Sequence, residues 1–99
     1  MITKKISPKG TSVRLTFTLP ADVASADAAV VGQFNDWDAT KGAMKLDAKQ
    51  GVWKGGISVK PGTRHEFRYV VDGGTWVNDE QADSYVANEH LGDNCVVEA

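Results

Sequence analysis

The stretch that most constrains the fold is a predicted β-hairpin running from Glu66 to Asp79. Its first half consists of β-branched, aromatic and long side chains with apolar residues at every second position, which is the pattern of a strand with one buried face. Asp72-Gly73-Gly74 follows and predicts a three-residue loop, in which Gly74 would take the positive φ that other residues resist. The chain from Thr75 onward is then the returning strand.

A three-residue loop determines which side chains of the hairpin share a face. Because side chains alternate across a strand, one face carries an apolar set: Phe67, Tyr69, Val71 and Val77. The opposite face carries the others: Arg68, Val70, Trp76 and Asn78. The first set is the expected core, and the second places an indole beside a guanidinium where water reaches both. A two- or four-residue loop would instead turn Trp76 toward the core, because a shift of one residue reverses the strand.

Further strand patterns occupy the rest of the chain, with turn signals between them and no helix that the periodicity supports. The expected strands are Ser12–Leu19, Ala28–Gln33, a short one near Met44–Leu46, Val52–Val59 and Cys95–Val97. Residues 1–11 are expected to be a flexible lead-in, and residues 12–99 a single domain. Together these patterns predict an all-β fold, an immunoglobulin-like antiparallel β-sandwich.

Composition excludes several function classes. The chain has 99 residues, a net charge of −2 and no apolar run long enough to span a bilayer. The negative charge argues against nucleic acid and, more weakly, against anionic membranes, since both favour a basic face. The N-terminus has no apolar stretch typical of a signal peptide. Cys95 is the single cysteine, so no internal disulfide is possible, and we expect a cytoplasmic protein.

The titratable residues do not form a recognisable catalytic or metal motif. The acidic residues nearest the conspicuous motifs are Asp36, Asp38, Asp79, Glu80 and Asp83. They lie in polar loops, where solvent should leave their pKa values near normal. The two histidines, His65 and His90, lack partners at zinc spacing, and Cys95 is expected to be an inert core thiol. We therefore expect no enzymatic activity, no metal and no cofactor.

The tryptophans remain as candidates for function. Trp53 lies on the apolar side of its strand and is the expected core residue, whereas Trp37 and Trp76 lie close to loops. Two interpretations stay open for this pair. Each indole could fold over an end of the core, or the two could form a platform for a sugar ring, whose axial C–H groups lie flat on an indole while Arg and Asn donate to its hydroxyls.

Several motifs, in this order and at this spacing, resemble those of carbohydrate-binding module family 48. The motifs are Val30–Trp37 (Val-Val-Gly-Gln-Phe-Asn-Asp-Trp), Gly51-Val52-Trp53, Pro61-Gly62, Phe67–Gly73, Trp76–Asp79 and Leu91–Val97. This family includes the glycogen-binding module of the AMP-activated kinase β subunit and the early-set domain that precedes the barrel of isoamylases and branching enzymes. The resemblance covers about residues 11–99 and implies an early-set sandwich without catalytic activity.

The resemblance also implies a ligand and a set of contacts. The implied ligand is α-1,4-glucan, such as glycogen, maltooligosaccharides or cyclodextrin. The implied binding residues are Trp37, Arg68, Trp76, Leu91 and Asn94. Arg68 stands where the kinase-type module has a lysine, and the threonine of that module has no clear counterpart in this sequence. The alternative hypothesis is a protein-interaction module that docks on a glycogen-metabolising enzyme or another partner.

Overall fold

The computed structural model of the chain describes residues 2–79, 81–87 and 93–99. The strands within these residues are β1 (Ile2–Ile6), β2 (Val13–Pro20), β3 (Ala28–Gly32), β4 (Lys45–Asp47), β5 (Val52–Val59), β6 (Arg64–Val71), β7 (Thr75–Val77), β8 (Ser84–Ala87) and β9 (Asp93–Glu98). Short 3-10 helices occupy Ala21–Val23 and Gln33–Asn35. The predicted strands are therefore present, with ends that differ by at most two residues.

Two antiparallel sheets pack face to face, which confirms the predicted immunoglobulin-like β-sandwich. The first sheet has the order β1-β2-β5-β4, and the second has the order β3-β6-β9-β8, with β7 also paired to β6. Strand β6 is central to the second sheet. Along its length it pairs with β3 on one edge, and on the other edge with β9 at its start and β7 at its end.

The core fills the space between the sheets with alternate residues of each strand. In β2 the buried residues are Val13, Leu15, Phe17 and Leu19, and the residues between them are more exposed. The Phe17 ring meets the rings of Phe67 and Tyr69 from β6, at centroid distances of 5.1 and 6.3 Å. Aromatic contacts at this separation add to the free energy of burying the rings. The inner faces of β2 and β6 thus set the orientation of both sheets.

The structure has a strand within the residues of the expected lead-in and a further strand, β8, and the sequence pattern predicted neither of them. Residues of the lead-in form β1, whose backbone pairs with β2 from Ile2↔Phe17 to Ile6↔Val13. β1 is an edge strand that lies mostly in solvent, so its side chains do not alternate in polarity. Lys4 also donates to Asp83 at 2.6 Å, tying β1 to the second sheet. The added strand β8 is short, exposed and paired with β9. The limits of the domain stay a prediction.

The hairpin has the predicted register. Val71 pairs with Thr75, Val70 with Trp76, and Tyr69 with Val77. The loop conformation differs from the prediction, because the positive φ values belong to Asp72 (51°) and Gly73 (79°) and not to Gly74. Two successive positive φ values suit the twist of a tight hairpin, and the Gly74 N–H closes the turn on the Val71 carbonyl at 3.2 Å. The parity of the strands is the one predicted, so the two faces are as expected.

Candidate functional site

The hairpin presents an aromatic side chain and a cation on the outer face of the second sheet. Trp76 on β7 is 47% exposed although it lies in a strand. The guanidinium carbon of Arg68, from β6, lies 5.5 Å from the centroid of the Trp76 ring. A cation at this distance from an indole is attracted by the negative face of the ring. Trp76 and Arg68 therefore form one surface, open to solvent.

Asn78 orients this pair. The Arg68 Nε–H donates to Asn78 Oδ1 at 2.7 Å, and Asn78 Nδ2 donates to the Asp93 carbonyl at 3.0 Å. Arg68 is thereby held through Nε, and its terminal Nη groups have no hydrogen-bond partner among the residues that the structure describes. Asn78 is not among the predicted site residues. The strand parity of the hairpin, which places Asn78 on the same face as Arg68 and Trp76, is the sequence signal that identifies it.

Trp37 lies in a strained turn at the end of β3. Asp36 and Trp37 have φ values of 56° and 59°, in the left-handed region that bulky L-residues rarely adopt. The Trp37 N–H donates to the Gly32 carbonyl at 2.9 Å, and the Asn35 side chain accepts from the Gly32 N–H at 3.0 Å. The indole is 37% exposed. Its ring makes no direct contact with the Trp76 ring within the part of the chain that is described.

Asn94 lies on the same face of the sheet and forms a hydrogen bond to an acidic neighbour, Glu66. It lies in β9 opposite Val86, and its Nδ2 donates to Glu66 Oε1 at 3.2 Å. Glu66 stands two residues before Arg68 in β6, so both side chains point outward. Leu91, the remaining predicted contact, lies outside the described residues. Among the predicted site residues, Arg68 and Trp76 thus contact each other. Asn94 contacts Glu66, which lies in the same strand as Arg68.

A buried polar cluster lies on the inner side of the hairpin and corrects the expectation for Asp79. This carboxylate is only 3% exposed, and it accepts from the Tyr69 hydroxyl at 2.7 Å and from the Gln81 N–H at 2.8 Å. The Asp79 N–H points to Cys95 Sγ at 3.1 Å. Burial, reinforced by the adjacent carboxylate, raises the pKa of Tyr69 above its usual range. Asp79 is a structural acid in a folded segment and not a solvated loop acid.

Two of the other acidic side chains, Asp38 and Asp83, have pKa values below the expected normal value. Hydrogen bonds from the Thr40 hydroxyl and N–H hold the pKa of Asp38 below its ordinary value. Burial alone would raise the pKa of Asp83, but the Glu98 N–H and the Lys4 ammonium outweigh it and lower the pKa. Asp36 is exposed, and Glu80 lies outside the described residues. A lowered pKa makes a carboxyl group a poor proton donor near neutral pH.

The described histidine and cysteine, His65 and Cys95, are not part of an assembled metal site. Among the described residues, no group of three or more His, Cys, Asp or Glu side chains is close enough to hold a metal ion. Cys95 is buried, and burial raises the pKa of its thiol, as expected for an unreactive core cysteine. His65 contacts the Thr63 hydroxyl at 2.8 Å, and burial lowers its pKa. His90 lies outside the described residues.

A membrane-crossing helix is likewise not part of the described chain. None of its helices has both the length and the apolar character that a bilayer span requires.

The fold and this face define a small β-sandwich module with an exposed indole and a cation on one sheet. The family model of carbohydrate-binding module 48 (isoamylase N-terminal domain) matches residues 7–86, most of the chain. The protein therefore belongs to the carbohydrate-binding module 48 family, which confirms the resemblance found in the sequence. Trp37, Arg68 and Trp76 lie within the matched residues, whereas Leu91 and Asn94 follow them. No curated protein matches the chain.

Proposed function

We propose that the protein is a non-catalytic module that binds α-glucans such as glycogen, starch and maltooligosaccharides. The proposed site consists of Trp37, Arg68, Trp76, Leu91 and Asn94. The observation that carries the proposal is the half-exposed Trp76 indole with the Arg68 guanidinium 5.5 Å from its ring, in a chain whose family is carbohydrate-binding.

The chemistry of this pair suits a pyranose ring. A glucose residue would lie with its C–H face on the Trp76 indole. The Nη groups of Arg68, which have no hydrogen-bond partner among the described residues, would donate to its hydroxyls. A tryptophan buries about 150–250 Å², which corresponds to a gross binding free energy of roughly 4–6 kcal/mol. Association and the ordering of the sugar offset most of this gain. We therefore expect dissociation constants in the micromolar to millimolar range.

The strained turn at Trp37 supports its assignment as a second stacking residue. A left-handed non-glycine residue costs about 1–2 kcal/mol, and such strain tends to persist where the conformation serves a function. Here two consecutive residues share it, Asp36 and Trp37, and the second exposes its indole. Asn35 stabilises the turn by bonding both the Gly32 N–H and the Val30 carbonyl.

The environment of the acidic groups near the site supports the proposal that the module is non-catalytic. Glycoside hydrolysis uses two carboxyl groups about 5–9.5 Å apart around the scissile bond, one of them with a raised pKa. Asp79 is buried against Tyr69 and does not reach the outer face, and the pKa of Asp72 is lowered by N–H donors from residues 25–27. Incubation with amylopectin should therefore release no reducing ends. Release that disappears in an Asp36→Ala or Asp79→Asn variant would contradict this part of the proposal.

The positions of the other exposed apolar side chains favour glucan binding over protein docking. Protein-docking surfaces are usually contiguous apolar patches. Ile6 and Leu46 are exposed, but they lie on β1 and β4, at opposite edges of the first sheet. Tyr85 lies on β8, in the other sheet, and Val23 lies in the short 3-10 helix after β2. Because these exposed residues come from four separate elements of the described chain, docking on a glycogen-metabolising enzyme stays the second hypothesis.

A titration of the protein with maltoheptaose and β-cyclodextrin tests the proposal. Tryptophan fluorescence and amide chemical shifts should both change, and the shifts should map to β6 and β7. Trp76→Ala should abolish most of the binding while the fold persists. Leu46→Ala removes a comparably exposed side chain from the first sheet and is the control. If Trp76→Ala binds as tightly as the unmodified protein, the proposed site is wrong.

We also propose a cytoplasmic location, because the single cysteine cannot form an internal disulfide and glycogen is an intracellular polymer. Cell fractionation tests it, and recovery of the protein with secreted material would contradict it.

A further inference from the structure

A row of polar side chains crosses the outer face of the second sheet next to Arg68. Gln33 comes from the turn after β3, Glu66 from β6 and Asn94 from β9. The carboxylate of Glu66 lies in the middle, where Oε1 accepts from Asn94 Nδ2 at 3.2 Å and Oε2 accepts from Gln33 Nε2 at 3.4 Å. Gln33 is itself anchored, because its Oε1 accepts from the Glu66 N–H at 3.0 Å.

This arrangement holds the Glu66 side chain in one orientation. Glu66 is half-buried and donors from two other parts of the sheet approach it from both sides. A carboxylate has about four acceptor positions, so two remain after these two bonds. Among the described residues Glu66 forms no ion pair, and Arg68 does not neutralise it. The two remaining acceptor positions of the Glu66 carboxylate therefore face outward, and the carboxylate itself is already ordered.

Glu66 also supplies a hydrogen-bond acceptor, which the Trp76–Arg68 pair lacks. A sugar hydroxyl both donates and accepts a hydrogen bond, whereas a guanidinium and an indole N–H only donate. Glu66 and Arg68 are two residues apart on the same strand, about 7 Å along the sheet. An extended ligand stacked on Trp76 and running along β6 would pass Arg68 first and Glu66 next.

We propose that the Glu66 carboxylate, held between Gln33 and Asn94, is an acceptor subsite for ligand hydroxyls that extends the Trp76–Arg68 site along β6. This inference rests on the proposed glucan-binding function and adds to it a residue, a hydrogen-bond direction and a minimum ligand length. A ligand that contacts both Trp76 and Glu66 must span roughly 13 Å, four residues of strand, and so must be longer than a disaccharide.

The test compares Glu66→Gln with a matched variant. Glu66→Gln keeps the size of the side chain, removes its charge and replaces one acceptor oxygen by a donor. Glu98→Gln is the control, because Glu98 pairs with Arg64, lies on the same face by parity and is exposed. Both variants change the net charge equally. Binding of maltoheptaose and of maltose is measured by titration of amide chemical shifts, and folding is checked by thermal denaturation.

We expect Glu66→Gln to weaken maltoheptaose binding about tenfold, the size of a lost hydrogen bond to a charged group at a partly exposed site. Maltose, which is too short to reach the subsite, should bind within about twofold of the unmodified protein. Glu98→Gln should bind both ligands normally. If Glu66→Gln does not fold, Gln33→Ala removes one of the donors that orient the carboxylate, and it should weaken maltoheptaose binding by about threefold.

The outcomes separate this inference from the proposed function. If Trp76→Ala loses binding but Glu66→Gln and Gln33→Ala bind maltoheptaose normally, the acceptor subsite is wrong and the glucan-binding function stands. An equal loss of maltose and maltoheptaose in Glu66→Gln would also overturn the subsite, because it would show a general disturbance of the face. If the unmodified protein binds no glucan, the proposed function fails and the subsite fails with it.

Discussion

Trp53 and Trp76 are the same residue type, each in a strand, and the fold uses them in opposite ways. Trp53 in β5 pairs with Leu19 on one side and Leu46 on the other, is 8% exposed, and donates from Nε1 to the Ala24 carbonyl at 3.3 Å. Trp76 in β7 pairs with Val70 and is 47% exposed. The difference comes from strand parity and not from local composition, since each tryptophan has one valine and one polar residue as its neighbours in sequence.

The loop of the hairpin controls this parity. Asp72 and Gly73 adopt positive φ, and the chain returns in a register that puts Trp76 on the same face as Arg68. The loop is also fixed from outside. The Asp72 carboxylate accepts from the N–H groups of Ser25 and Ala26 at 2.9 and 2.7 Å. The hairpin is thus clamped to the segment before β3, and a change of register would break these bonds.

The largest expected difference is in stability. Trp53→Ala should lower the free energy of unfolding by about 3–5 kcal/mol, because it leaves a cavity in the core and removes a buried hydrogen bond. Trp76→Ala should change the free energy of unfolding by less than about 1 kcal/mol, as is usual for an exposed position. Urea denaturation followed by circular dichroism measures both values. If Trp76→Ala unfolds the domain and Trp53→Ala does not, the two faces have been assigned the wrong way round.

The second prediction concerns the polar cluster on the inner side of the hairpin. Tyr69→Phe removes the hydroxyl that donates to Asp79 at 2.7 Å while keeping the ring in the core. Losing a buried hydrogen bond to a carboxylate should reduce stability by about 1.5–3 kcal/mol. Tyr85→Phe removes a hydroxyl that donates to the Asp79 backbone carbonyl from a largely exposed ring and should have a smaller effect.

Both effects are measured by thermal and urea denaturation. A Tyr69→Phe variant as stable as the unmodified protein would show that the cluster does not stabilise the hairpin. Glucan binding at 25 °C should persist in both variants, because neither hydroxyl reaches the outer face.

Sequence patterns were sufficient for the parts of the fold in which one side of a strand is buried. The alternation in β2, the limits of β5 and the faces of the β6–β7 hairpin follow from period-two polarity. β1 and β8 were missed because they are edge strands, held by backbone pairing and a few polar contacts, and exposure on both sides leaves no alternation to detect.

Part of the candidate site could also be predicted from the sequence, because strand parity specifies which side chains share a face. Arg68, Trp76 and Asn78 share a face by parity alone, so their proximity follows from the hairpin register. The burial of Asp79 does not, because Asp79 follows the end of β7 and one of its partners, Cys95, comes from β9, outside the hairpin. The Gln33–Glu66–Asn94 row likewise joins residues more than 25 positions apart. Such contacts depend on the order of strands in the sheet, which periodicity does not specify.

The third prediction concerns the clamp at Asp72 and is smaller, because this carboxylate is exposed. Hydrogen bonds from the Ala26 and Ser25 N–H groups hold the pKa of Asp72 below its ordinary value of 3.8. A lowered folded-state pKa contributes stability above the unfolded-state pKa, and that contribution is lost as the pH falls through the folded-state value. Part of the acid destabilisation below about pH 4 should therefore come from this residue.

Asp72→Asn keeps an acceptor oxygen and tolerates positive φ, but it does not titrate. The variant should be less stable than the unmodified protein at pH 7, and the difference should shrink as the pH falls toward 2. Asp22→Asn, which removes an equal charge on the neighbouring Ala21–Val23 turn, is the matched control. A stability difference between Asp72→Asn and the unmodified protein that is independent of pH would rule out this linkage.

The smallest predicted effect is on the pH dependence of glucan binding, which should be nearly flat from about pH 6 to 9. Tryptophan has no group that titrates in this range, and arginine stays protonated throughout it. His65 is the one histidine among the described residues. However, it shares the inner parity of Phe67 and Tyr69, lies with its ring 6.0 Å from that of Phe34, and burial lowers its pKa. Its side chain therefore points away from Arg68 and Trp76, and the lowered pKa favours the neutral form of the ring. Titrations with maltoheptaose at pH 6, 7.5 and 9 test this expectation. A steep loss of affinity near pH 6.5 that disappears in His65→Gln or His90→Gln would mean that a histidine belongs to the site, and the outer face as assigned would then be incomplete.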